Sequence, residues 1–201
     1  MTQSIGTKAP ILAFYSPREP AFRYLFEEIA ARHPFSGIWL ADAMDTWRWL
    51  TAGRSFAPVS PGILPFWPWS REAPRPLRPK LRRLARAHAT VIFTRPDQAA
   101  LLPWFGAARK VYYAIDDYMT YNAGWREREL ALLDAADLVV AVSPRLAEVL
   151  RDRAPRIETR LIVSPNAVPA DWIPTAEPPG GTNKSRKPRI GIIGRISSRR
   201  R

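Results

Sequence analysis

The sequence predicts an α/β fold: a doubly wound parallel sheet flanked by helices, Rossmann-like in architecture. Three observations predict it. Short apolar runs alternate with stretches of helical periodicity along most of the chain. Several of the runs, such as "TVIF" and "LVVAV", are apolar at successive positions, as in strands buried on both faces. Helical segments join the strands, so consecutive strands run parallel, and right-handed crossovers then put helices on both sides of the sheet.

The elements follow in order. "ILAFYS" (11–16) reads as a strand. Over 21–32, Phe22, Leu25, Phe26, Ile29 and Ala30 recur at helical spacing, with Glu27 and Glu28 on the other face. "GIWLA" (37–41) is the second strand, and 42–60 fits a short helix and a loop. "GILPF" (62–66) is a third strand, limited by Pro65. A proline-rich crossing over 67–79 leads to a basic helix over 79–89, with Leu77, Leu81, Leu84 and Ala85 on one side. "ATVIFT" (89–94) is a strand, 97–105 a short helix, and "KVYYAID" (110–116) a strand. A helix over 124–136 precedes "DLVVAVS" (137–143), the clearest strand. Ser143 then caps a helix whose first residue is Pro144. "TRLIVS" (159–164) ends the set. Residues 169–188 are rich in proline with a Gly180-Gly181 pair and read as a linker, after which "RIGIIGR" is one more strand running into a glycine turn.

Composition narrows the function. The chain has 201 residues and 46% hydrophobic content, enough for one well-formed domain. It has no cysteine, and its two histidines, His33 and His88, stand far apart. A disulfide framework, a cysteine nucleophile and a metal site are therefore not expected. No apolar run has membrane-spanning length, and the N-terminus lacks the apolar region of a signal peptide. A cytoplasmic location is expected. Of the net charge of +13, eight charges lie in residues 182–201, so the main body is only moderately basic.

In a sheet of this kind ligands sit beyond the carboxyl ends of the strands. Asp116 and Asp117 follow the strand "VYYAI". Adjacent carboxylates on extended backbone point apart, so one of them could act as a base toward a hydroxyl, the alternative being a cap or a structural ion pair. Arg95 follows "VIFT" and could hold an anionic group, although loop solvation explains it too. Ser143 and Arg145 follow "LVVAV", where Ser143 is accounted for as a cap, and Asn166 follows the last strand before the linker. In "GIIGR" the turn at Gly191 and Gly194, with Arg195 beside it, could receive a phosphate. Finally, Trp67 and Trp69 stand beside Arg78, Lys80, Arg82, Arg83 and Arg86. Aromatics with clustered cations suit an anionic bilayer surface; the plainer account is a packed helix with a solvated basic face. No nucleic-acid-binding motif accompanies the patch, and no nucleic acid is expected.

The series "KVYYAIDDY…ALLDAADLVVAVSPRLAEVL…LIVSPNAV…RIGIIGR" resembles the GT-B glycosyltransferases, in particular the family 4-like bacterial enzymes of cell-surface polysaccharide synthesis. Residues 110–196 follow the family's order of motifs; residues 1–109 match in architecture. The resemblance implies two Rossmann-like domains facing a cleft, the first receiving a lipid-linked or polysaccharide acceptor and the second a nucleotide-sugar donor. On that reading 1–168 is the acceptor-side domain, 169–188 the interdomain linker, and 189–201 a truncated first strand of the donor domain. Gly191, Gly194 and Arg195 would be an incomplete phosphate loop. Asp116 or Asp117 would orient or deprotonate the acceptor hydroxyl, since "YYAIDDY" stands where many retaining members carry a histidine. Arg95, Ser143, Arg145 and Asn166 would line the cleft. No cofactor or metal is implied. The chain alone is expected to be inactive in sugar transfer, with a peripheral place on the inner face of the membrane. The alternative is a basic module that binds membranes or an acidic partner without catalysis.

Overall fold

The computed structural model describes residues 9–16, 20–41, 47, 62–65, 75–121 and 123–166. The expectations that concern Trp67, Trp69, the helix within 42–60, the linker 169–188, and Gly191, Gly194 and Arg195 lie outside the described residues. The chain divides into two units, Met1–Val168 and Pro169–Arg201, and every element below belongs to the first.

Among the described residues, seven strands form one sheet in the order β3-β2-β1-β4-β5-β6-β7. They are β1 (Ile11–Phe14), β2 (Phe35–Ala41), β3 (Gly62–Pro65), β4 (Thr90–Phe93), β5 (Arg109–Ala114), β6 (Leu138–Ala141) and β7 (Leu161–Val163). Every neighbouring pair is parallel. The order reverses direction between β1 and β4, which makes that junction the topological switch point of a Rossmann-like sheet. Pro65 is the last residue of β3, the strand at one margin of the order, the kind of position in which a sheet tolerates proline.

The described α-helices include α1 (Pro20–Arg32), α2 (Arg78–Ala87), α3 (Tyr118–Tyr121), α4 (Arg126–Ala135) and α5 (Pro144–Arg153). Connections that move from β1 toward β3 and those that move from β3 toward β7 must lie on opposite faces if all crossovers share one hand. The core shows this division. Alternate strand residues Ala13, Tyr15, Ile92, Tyr113 and Val140 pack with Phe22 and Phe26 of α1. Their neighbours Leu12, Phe14, Val91, Phe93, Tyr112 and Val139 pack with Leu81 of α2, Leu132 and Leu133 of α4, and Leu146 and Leu150 of α5. The period of two that sorts the strands thus meets a period near 3.6 in each helix. Both clusters are aromatic at their centre. The rings of Phe14 and Phe93 stack at 5.8 Å with Phe105 edge-on to both, and Phe22 and Phe26 stack at 5.5 Å. Gly37 of β2 lies against Tyr15: a Cβ there would come within 2.7 Å of the ring, so any larger residue requires the buried Tyr15 ring to shift.

The expected short helix at 97–105 is a 3-10 helix, Pro96–Phe105. Pro103 inside it has no amide hydrogen to give an α-helical ladder. The expected helix over 124–136 begins with a 3-10 turn, Ala123–Trp125, before α4. No helix among the described residues is long and apolar enough to cross a membrane.

Candidate functional site at the carboxyl ends of β5 and β6

A pocket of about 280 Å3 opens where β5 and β6 end. One wall is the segment after β5, with Ile115, Asp116 and Asp117; the other is the start of α5, with Ser143, Arg145, Leu146 and Val149. Four residues expected to face the crevice therefore line one cavity. Its lining mixes the apolar Ile115, Leu146 and Val149 with the polar Asp116, Asp117, Ser143 and Arg145.

Each polar group has its own task. Ser143 caps α5 by accepting a hydrogen bond from the Leu146 amide at 3.1 Å, with Pro144 in the first turn. Arg145 is exposed and pairs with Glu148 one turn on at 3.1 Å. The Asp116 carboxylate, half-buried, accepts from the Asp117 amide at 2.9 Å through Oδ1. Asp117 turns elsewhere: Oδ1 meets the Arg153 guanidinium at 2.6 Å and Oδ2 accepts from the Thr120 hydroxyl at 2.6 Å. Burial alone would raise the Asp117 carboxyl, but the Thr120 hydroxyl and the Arg153 guanidinium outweigh it and hold it below the usual range. Both carboxylates line the pocket, but Asp117 is held by Arg153 and Thr120, whereas Asp116 accepts a backbone amide.

Behind Asp117 lies a polar chain that sequence reading did not single out. Arg153 also donates to Oε2 of Glu129 at 3.1 Å, and the Tyr112 hydroxyl donates to its Oε1 at 3.0 Å. Glu129 has no exposed surface, and that burial pushes its carboxyl up, partly offset by Tyr112 and Arg153. Burial, with the Glu129 charge beside it, pushes the Tyr112 phenol well above its ordinary value. A signal was present in the sequence. Glu129 shares a helical face with Leu132 and Leu133, and Arg153 is three residues beyond Leu150, so each charge interrupts an apolar stripe.

Arg95 does not reach this pocket. It lines a second one at the switch point, together with Tyr15, Ser16 and Trp39, whose volume of about 10 Å3 has room for a single water at most. Its guanidinium pairs with Asp97 at 3.2 Å and stands 5.7 Å from the Trp125 ring centre. Here the end of β4 is tied to β1: the Thr94 hydroxyl and the Gln98 amide both donate to the Phe14 carbonyl, at 2.8 and 3.2 Å. Tyr118 donates to the Thr94 carbonyl at 2.9 Å. Asn166 is exposed beyond β7 and is not among the residues lining either pocket.

The basic residues expected at a membrane stand on α2. Leu81 is buried beneath it, while Lys80, Arg82, Arg83 and Arg86 are exposed, and α2 carries no acidic residue. Arg82 lies 5.8 Å from the Trp104 ring centre. Among the described residues no group of three or more His, Cys, Asp or Glu gathers as a metal site would require.

No protein-family model matches the chain, and no curated protein matches it.

Proposed function

We propose that this domain is the acceptor-side lobe of a glycosyltransferase of the GT-B type. Such an enzyme passes a sugar from a nucleotide-sugar donor to a hydroxyl of a lipid-linked or polysaccharide acceptor. The observation that carries the reading is the pocket beyond β5 and β6 with the Asp116 carboxylate on its wall. An acceptor hydroxyl donating to Asp116 loses its proton to that carboxylate as its oxygen bonds to the anomeric carbon, while the bond from that carbon to the nucleoside diphosphate breaks. Asp117 is occupied by Arg153 and Thr120, which favours Asp116 for this role.

Nuclear magnetic resonance titration of the chain with a panel of methyl hexosides tests the acceptor side alone. Shifts are expected at Ile115, Ser143 and Leu146, and Asp116→Asn should weaken binding by about tenfold or more, the worth of a hydrogen bond to a charged group. Absence of shifts there across the panel counts against the reading.

A second reading rests on a separate observation, the cationic face of α2. It would dock the domain on an anionic membrane, each cation near the surface contributing about 1 kcal/mol. Co-sedimentation with vesicles of neutral and of anionic lipid is the check. Binding that survives charge reversal at Arg82, Arg83 and Arg86 removes its basis.

A further inference from the structure

The two walls of the pocket come from different parts of the chain, the segment after β5 and the helix α5. Arg153, in the last turn of that same helix, grips the opposite wall. One nitrogen of its guanidinium holds Asp117 Oδ1 at 2.6 Å, and the other holds Glu129 Oε2 at 3.1 Å. Glu129 is in turn fixed by the Tyr112 hydroxyl from the middle of β5. Asp117 is fixed at its second oxygen by Thr120, and its amide donates to Asp116 Oδ1. Hydrogen bonds therefore run from the core strand through α4 and α5 to the Asp117 side chain, and the Asp117 backbone amide passes the link on to the Asp116 carboxylate.

A guanidinium suits this task because its fixed fork meets two carboxylates in set directions, which a lysine ammonium cannot do. The arrangement is also costly to build, since Glu129 is wholly buried and must be compensated. Two flanking carboxylates share the one cation, so the grip on Asp117 and the anchoring of Glu129 rise and fall together.

We propose that Arg153 is a positioning residue: anchored on Glu129, it holds the Asp116–Asp117 segment against α5 and so fixes where the Asp116 carboxylate stands in the pocket. The consequence for ligand binding rests on the acceptor-site reading above; the clamp itself does not.

The test compares the full chain with Arg153→Gln, Arg153→Lys and Glu129→Gln. Three quantities are measured: hydrogen exchange at the Asp117 amide, the carboxyl-carbon chemical shift of Asp116 at fixed pH, and methyl hexoside affinity. Arg153→Gln is expected to speed Asp117 amide exchange by about tenfold or more while amides of β4 and β6 keep their protection. It should also move the Asp116 carboxyl-carbon chemical shift at fixed pH and lower hexoside affinity, with partial recovery in Arg153→Lys. A folded Arg153→Gln protein in which the Asp117 amide and the Asp116 carboxyl stay unmoved, or move only together with the core amides, overturns the proposal. Should Arg153→Gln not fold, Glu129→Gln removes the anchor's charge at constant size and is judged by the same two outcomes. If the unaltered chain binds no hexoside but the amide and carboxyl respond as expected, the acceptor reading fails and the clamp stands.

Discussion

At Arg153 one cation faces two carboxylates, one of them without any exposed surface. Removing the cation leaves a buried charge uncompensated, so Arg153→Ala should cost about 3–5 kcal/mol in urea denaturation, and Glu129→Gln distinctly less. The two carboxyls act on stability with opposite sign. Asp117 is held below its ordinary range, so its contribution is present above the unfolded value and is lost as pH falls through the folded one. Glu129 is held above, so its contribution is full below the unfolded value and fades as pH rises through the folded one. Denaturation midpoints followed against pH should show Asp117→Asn flattening the acid limb and Glu129→Gln flattening the limb above the ordinary glutamate range. Asp117 is about a third exposed, and solvent screening keeps its share small. Asp116, Asp117, Ser143 and Arg145 were legible as pocket residues because a strand's end is a local feature. The contact from Arg153 to Glu129 joins positions 24 apart on two helices, and no local pattern encodes which buried charges will meet.

Elements show what local physics decides and what it leaves open. All seven strands could be read from apolar runs, since β-branched and aromatic clusters bounded by turns have few other uses. The 96–105 segment was legible as helical but not as 3-10, because the ladder type depends on which carbonyls Pro103 leaves waiting. At α5 the cap is simple enough to predict: Ser143→Ala should cost about 1 kcal/mol, read from thermal or urea unfolding. On α2 the two faces should behave differently. Leu81→Ala empties a fully buried site and should cost about 2–5 kcal/mol. Arg83→Ala, at an exposed position, should stay within about 0.5 kcal/mol. A comparable loss at both would mean that α2 packs by its basic side as well.

Taken as a whole, the sheet has two margins of unlike character. β3 ends in Pro65, which cannot donate to an added strand. β7 stands last in the order at the other margin, and its Ile162 and Val163 are 48% and 43% exposed. Ile162→Lys is expected to lower self-association in light scattering without altering the far-ultraviolet circular dichroism. The central junction has a kinetic consequence. Thr94 donates to a carbonyl 80 positions earlier, at Phe14, in the junction of β4 with β1, whereas the β4–β5, β5–β6 and β6–β7 ladders each join consecutive strands. Closing the longer loop is the entropically dearer step, and such distant pairings delay folding. The β4–β7 half is therefore expected to assemble early and to receive β1 late. In stopped-flow measurements Thr94→Val should hasten unfolding while leaving the refolding limb nearly unmoved.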